Sequence, residues 1–395
     1  MHGDLAYENR PSPSCHIPYA NTSRGVATVV SSMKNKTCWL LSAVAIASLG
    51  AGCKKKKEDG GGGAGTATAG TGSTPPTGGS VTLNASGATF QKAAQEVTIE
   101  AFTKVNKNIK VNYGSGGSGK GRQDFADQVV DFACSDAPYK EADVAKVKGG
   151  EFFYIPNVLG AITVSYNVDG VDKLNLSGET LAKIFQREIK KWNDPAIAAD
   201  NAGAKLPDAD IVVARRSDGS GTTENFTKFL EGAAGAAWKL KSGSTVEWPA
   251  DTQAGNGNGG VAQIVKSTKG AVGYVDLSDA KASGLKWAAV KNPAGKFVMP
   301  TAEAVSAAAD GIEVKDNLIF SALNAKGDAA YPITAQSWCM AYAKQTDKAK
   351  GEAVKAYFKF MVTDAQKLLP EIDFAPIPKS LQDKALAQID KIQVP

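Results

Sequence analysis

The stretch Ile211-Val212-Val213-Ala214-Arg215-Arg216-Ser217-Asp218-Gly219-Ser220-Gly221-Thr222-Thr223 holds the main clue to this fold. Its β-branched start reads as a strand, and a Gly/Ser/Thr turn follows. Residues 224–230, with Phe226 and Leu230 four apart, then read as a helix. The first turn of a helix carries backbone N–H groups without internal partners and the positive end of the macrodipole. With two hydroxyl residues and an arginine beside it, such a helix start suits a small oxyanion. The plainer alternative is a Ser/Thr cap flanked by surface arginines.

The same order recurs along the chain. Residues 81–85 read as a strand, 86–90 as a turn and 91–104 as a helix. Residues 109–113 alternate as a strand, 114–121 form a glycine-rich turn, 122–129 are helical, and 131–136 form a strand ending in an acid. Further strands are expected at 159–166, 271–275 and 333–342, and helices at 181–192, 261–266 and 351–363. A glycine/asparagine loop spans 255–260. Recurring strand–turn–helix units predict an α/β fold with mostly parallel sheets, whose ligands collect at the C-terminal strand ends.

Composition narrows the chemistry. The chain has 395 residues and a formal charge of +5. Eight basic and four acidic residues precede Gly60, so the remainder lies within one charge of neutrality. No nucleic-acid partner is expected from so balanced a globular part. His2 and His16 are the only histidines, and both precede the apolar stretch at 39–49. Histidine-based triads, histidine proton shuttles and most zinc sites are thereby excluded from the globular part.

Met33-Lys34-Asn35-Lys36 opens a basic segment, and 39–49 is apolar over signal-peptide length. It ends in Leu49-Gly50-Ala51-Gly52-Cys53, which resembles a bacterial lipoprotein signal, with Gly50 where leucine is usual. Residues 1–32 then read as an upstream extension and 33–52 as the signal peptide. Cys53 becomes a lipidated N-terminus that ties the protein to a membrane. Lys54 to Lys57 suit anionic headgroups or a solvated spacer. Residues 53–80, rich in Gly, Thr, Ser and Pro, read as a flexible linker.

Three turns share one chemistry, with hydroxyl and glycine residues just before a helix: Thr89-Phe90, Ser118-Gly119 and Ser220-Gly221-Thr222. If they converge, their donors hold a tetrahedral oxyanion without a metal, and Arg216 adds a planar fork. The second turn, Gly114-Ser115-Gly116-Gly117-Ser118-Gly119-Lys120, also fits part of a nucleotide-binding loop. Gly121, however, stands where that motif needs Ser or Thr.

Several segments together closely resemble the phosphate-binding proteins of bacterial ABC-type phosphate importers. They are Ser86-Gly87-Ala88-Thr89-Phe90, the glycine loop at 114–121, Val130 to Pro138, Trp192-Asn193-Asp194-Pro195, Arg215 to Thr222, and Gly270 to Tyr274. The resemblance covers residues 81–395. It implies a two-lobed hinged periplasmic-binding-protein fold, each lobe a mixed, mostly parallel sheet flanked by helices. Lobe 1 comprises 81–167 and 332–395, and lobe 2 comprises 168–331. It also implies a non-enzymatic monomer that binds inorganic phosphate and delivers it to a permease, without cofactor or metal.

By the same resemblance, Thr89 and Phe90 supply amides, Thr89 also its hydroxyl, and Ser118 both groups. Arg216 contacts the anion, Ser220, Gly221 and Thr222 add amides and hydroxyls, and Asp218 holds Arg216. Asp136 is the acceptor carboxylate. Phosphate keeps a proton at neutral pH and sulfate does not, so Asp136 accepts from the first and repels the second. Its alternative role is a cap on the turn at Pro138. Lys120 stands where the family usually has glycine, either adding charge near the mouth or facing solvent. Cys134 and Cys339, both on strands of lobe 1, are expected as two buried thiols, with a disulfide between them as the alternative. An exported phosphatase using Ser118, Ser220 or Thr222, or a binding protein for another oxyanion, are the rival readings.

Overall fold

A computed structural model of the chain describes residues 79–395. The apolar segment at 39–49, Cys53 and nearly all of the linker lie outside the described residues. Strands are numbered in chain order. The first four are β1 (Val81–Gly87), β2 (Ile109–Gly114), β3 (Phe132–Ser135) and β4 (Phe152–Asn167). Then come β5 (Asn175–Leu176), β6 (Val212–Arg216), β7 (Gln253–Gly255) and β8 (Ala271–Asp276). The last four are β9 (Lys286–Trp287), β10 (Ala289–Lys291), β11 (Phe297–Val298) and β12 (Thr334–Tyr342).

One sheet runs in the order β2-β1-β3-β12-β4-β8-β6-β7, with β9 also paired to β4. The strands of the strand–turn–helix units pair in parallel: β1 with β2 and β3, and β6 with β7 and β8. Between these sets lie the antiparallel ladders of β4 and β12. Strand β4 is 16 residues long and nearly all buried. Residues 152–161 pair with β12 and residues 162–167 with β8. Two half-sheets, each with its own helices, therefore share one strand. A small separate sheet has the order β11-β10-β5.

Local chemistry explains where the helices begin and end. The Gly221–Ala234 helix starts at Ser220, whose hydroxyl accepts the Thr223 amide. It buries Phe226, Phe229 and Leu230, and Phe226 stacks on Tyr274 with centroids 4.5 Å apart. The helix expected at 122–129 forms instead at Ser118–Ala126. It begins inside the glycine-rich turn and stops before Gln128, which is left-handed at φ 59°. The helix expected at 181–192 is Gly178–Phe185. Arg187 at φ 64° ends it, and Trp192 turns into the core to donate its indole N–H to the Gly270 carbonyl.

Cys134 and Cys339 form a disulfide, which corrects the expectation of two thiols. They lie directly opposite each other on β3 and β12, with Cα atoms 4.0 Å apart. Sequence alone does not settle this pairing because the two positions are 205 residues apart. Reduction should add two hydrogens to the intact mass, and the Cys134→Ser/Cys339→Ser variant should lose about 2–5 kcal/mol of stability. Alkylation of both cysteines in the unfolded protein without any reductant would mean that the thiols were already free.

Candidate functional site

The three turns converge, and a fourth joins them. Ser118 opens its helix beside Asp136, which follows β3. The Ser118 hydroxyl donates to Asp136 Oδ2 at 3.3 Å and accepts the Asp136 amide at 3.2 Å. Gly221 lies against both. A Cβ added there would stand 2.5 Å from Ser118 Oγ and 2.7 Å from Asp136 Cβ, so only glycine fits. On the other flank, the Asn258 amide donates to Thr89 Oγ1 at 3.3 Å. Asn258 Nδ2 lies 3.4 Å from Thr222 Oγ1.

Arg216 is 3 % exposed and sits at the end of β6. Its Nε and Nη2 donate to the two Asp218 oxygens at 2.8 and 2.5 Å. Its Nη1 donates to Asn258 Oδ1 at 3.0 Å, with Thr222 Oγ1 at 3.5 Å. Asp218 also accepts the Gly257 amide at 3.0 Å. Burial pushes the Asp218 carboxyl up, but Arg216 and that amide outweigh it and hold the group below its usual range. This bidentate pair fixes the guanidinium plane and leaves some of its five N–H donors for a ligand.

The other polar groups are arranged in one sense. The hydroxyl oxygens of Thr89, Ser220 and Thr222 accept from protein N–H groups. Each therefore keeps its single hydrogen to give away. The backbone amides of Thr89, Phe90, Ser118, Gly221 and Thr222 have no backbone acceptor among the described residues. The Ser220 amide differs from the sequence reading, because it donates to the Ser244 carbonyl at 2.9 Å. Ser220 thus offers only its hydroxyl. Lys120 turns outward and pairs with Asp124 at 2.9 Å.

One acceptor stands among these donors. Asp136 is 1 % exposed. Burial pushes its carboxyl up to about 6, against the pull of the Ser337 hydroxyl, the Arg216 charge and the Ser118 hydroxyl. Ser337 Oγ donates to Asp136 Oδ1 at 2.7 Å, and Asn225 Nδ2 donates to the Asp136 carbonyl at 2.7 Å. Sequence reading missed Asn258, Ser337 and Asn225. The loop at 255–260 is glycine-rich and precedes a helix like the other turns, with asparagine in place of their hydroxyl residues, so Asn258 had a signal. Ser337 and Asn225 had none, because each is set by pairing across distant segments.

Such a site can hold a small tetrahedral oxyanion on many neutral donors, one arginine and a proton-accepting carboxylate. The fold and this donor array define a substrate-binding protein built from two half-sheets. A PBP superfamily domain model matches residues 64–365. The phosphate-binding protein PstS of Xylella fastidiosa is 37% identical over 323 residues, which is 79% of this chain and 86% of that protein. That of Pasteurella multocida is 36% identical over 313 residues, or 78% and 89%. The chain belongs to the PstS family of phosphate-binding proteins. Two solved structures share the fold. A high-affinity periplasmic phosphate-binding protein bound with phosphate has a TM-score of 0.67 at 20% identity, covering 78% of this chain and 93% of its own. A phosphate-binding protein from Stenotrophomonas maltophilia has 0.61 at 20%, covering 78% and 93%.

The raised Asp136 pKa predicts a pH signature of the ligand-free protein. Its folded value lies above the unfolded 3.8, so its stabilising contribution is complete below about pH 4 and is lost as pH rises through 6. Asp136→Asn should therefore gain up to about 3 kcal/mol over the parent at pH 8, and the gain should vanish towards pH 4. Urea melts at the two pH values measure this. A variant less stable at pH 8 than at pH 4, relative to the parent, would contradict the burial argument.

Proposed function

We propose that this protein binds inorganic phosphate outside the cytoplasm and delivers it to the permease of an ABC-type importer. It is a binding protein and not an enzyme. The observation that carries the reading is Asp136, a buried carboxylate facing a ring of donors. A site for any anion would do better without it, since a carboxylate repels a fully deprotonated ligand. Phosphate brings a proton, which Asp136 Oδ1 or Oδ2 accepts. Its remaining oxygens take the amides of Thr89, Phe90, Ser118, Gly221 and Thr222, the hydroxyls of Thr89, Ser220 and Thr222, and Arg216, while the Ser118 hydroxyl stays on Asp136. The PstS names of the Xylella and Pasteurella relatives support this ligand.

In this reading, 81–167 with 332–395 form one lobe and 168–331 the other. The pairing of residues 162–167 with β8 supports a crossing towards the end of β4, near Asn167. Lobe 1 supplies Thr89, Phe90, Ser118 and Asp136, and lobe 2 supplies Arg216 to Thr222. The lobes meet where the Gly119 amide donates to the Gly219 carbonyl at 2.8 Å. A hinge that opens there admits the ligand, and the closed form is the shape a permease reads. Lipidated Cys53 anchors the protein as a monomer at the membrane, with the linker at 53–80 as tether. The sequence pattern Leu49 to Cys53 supports the anchor.

Calorimetric titration of the protein starting at residue 79 tests the ligand. Phosphate should bind at pH 8 and sulfate should be weaker by about 10⁴-fold or more. Equal affinities would contradict the assignment. Incubation with a phosphomonoester should release no phosphate above the buffer rate.

A further inference from the structure

The core of lobe 1 contains a file of polar side chains that ends on Asp136. Strands β3 and β12 are antiparallel, with Cys134 opposite Cys339 and Ser135 opposite Trp338. The next step along the register brings Ser337 to Asp136. Alternate residues of a strand share a face, so the disulfide, Asp136 and Ser337 lie on the same side of the sheet. Gln91 and Gln95, one helical turn apart, pack on that side.

The hydrogen bonds all run one way. The Tyr357 hydroxyl donates to Gln95 Oε1 at 2.6 Å, and Gln95 Nε2 donates to Gln91 Oε1 at 2.9 Å. Gln91 Nε2 donates to Ser337 Oγ at 2.5 Å, and Ser337 donates to Asp136 at 2.7 Å. Gln91, Gln95, Ser337 and Tyr357 are at most 1 % exposed. Asn157 Nδ2 also donates to Gln91 Oε1, at 2.5 Å, which turns the Gln91 N–H groups towards Ser337. The other acceptor within reach of Ser337, the Ser135 carbonyl, is farther away at 3.3 Å. Burial raises the Tyr357 phenol, so it stays a donor at every working pH.

Such a file is costly in an apolar core unless every member is satisfied. Leucine at 91 and 95 would pack the same space. What the file adds is donor strength at Asp136. We propose that Ser337, backed by Gln91, Gln95 and Tyr357, is the positioning residue that keeps Asp136 ionised and sets the pH below which the site stops rejecting sulfate. This rests on the phosphate reading above. Ionised Asp136 repels sulfate, whereas protonated Asp136 can donate to it. The other groups facing Asp136 are Arg216 from β6, Arg122 from the Ser118–Ala126 helix and Tyr113 from β2. From the Gly221–Ala234 helix Asn225 faces it, while Glu224 and Lys228 pair with each other.

The test is calorimetric titration with phosphate and with sulfate from pH 5 to pH 8, for the parent, Ser337→Ala and Tyr357→Phe. Sulfate binding should set in as pH falls. Its midpoint should lie higher by about one pH unit in Ser337→Ala, the effect of one charge-assisted hydrogen bond. Tyr357→Phe should move it the same way by less. That variant keeps the ring among Phe102, Phe132 and Phe358, so it tests the file even if Ser337→Ala does not fold. Midpoints equal to the parent's in folded variants that still bind phosphate overturn the proposal. A parent that binds no phosphate at pH 8 instead overturns the reading beneath it.

Discussion

A carboxylate buried among unpaired N–H groups is the constraint around which the rest of this molecule is arranged. Asp136 is nearly inaccessible, and burial pushes its carboxyl towards the neutral form. Ser337, Ser118 and the charge of Arg216 pull the other way. The balance leaves a group that is ionised at neutral pH and poised to accept a proton. Around it the protein fills the acceptor positions of its hydroxyls with its own amides, so that donors remain for the ligand. In the proposed reading, selectivity follows from one acceptor among many donors.

That balance demands close approach of segments far apart in sequence. Gly221 lies against Ser118 and Asp136 because it has no Cβ. The Gly119 amide and Gly219 carbonyl meet backbone to backbone. Asn258 ties Thr89 on one side to Arg216 and Thr222 on the other. The Gly221, Gly119–Gly219 and Asn258–Thr89 contacts run between the two half-sheets, whereas Asn258 reaches Arg216 and Thr222 within one of them. Strand β4, shared by both, is one covalent link between the halves. The disulfide two residues from Asp136 and from Ser337 staples the register that makes their pair.

Much of this was legible from residues alone, and the reason is local. Strand–turn–helix order at 81–104, 109–129 and 211–230 is written in alternation, glycine and hydroxyl placement. The turns named Thr89, Ser118, Arg216, Gly221 and Thr222, and the structure brings them together. Helix ends were less legible. The stop at Phe185 depends on Arg187 adopting a left-handed conformation and on Trp192 finding a tertiary partner. The partner of the Ser220 amide and the roles of Ser337 and Asn225 were not legible at all, and the Cys134–Cys339 bond only as an alternative to two thiols. Each depends on which strand or helix lies next to which, and one sequence does not carry that information.

The central claim is that Asp136 reads the proton on the ligand. Comparing the phosphate and sulfate affinities of Asp136→Asn with those of the parent at pH 8 tests it most directly. The account predicts that sulfate affinity rises and phosphate affinity falls, because a neutral amide no longer repels one or accepts strongly from the other. A ratio of the two affinities unchanged from the parent would contradict it.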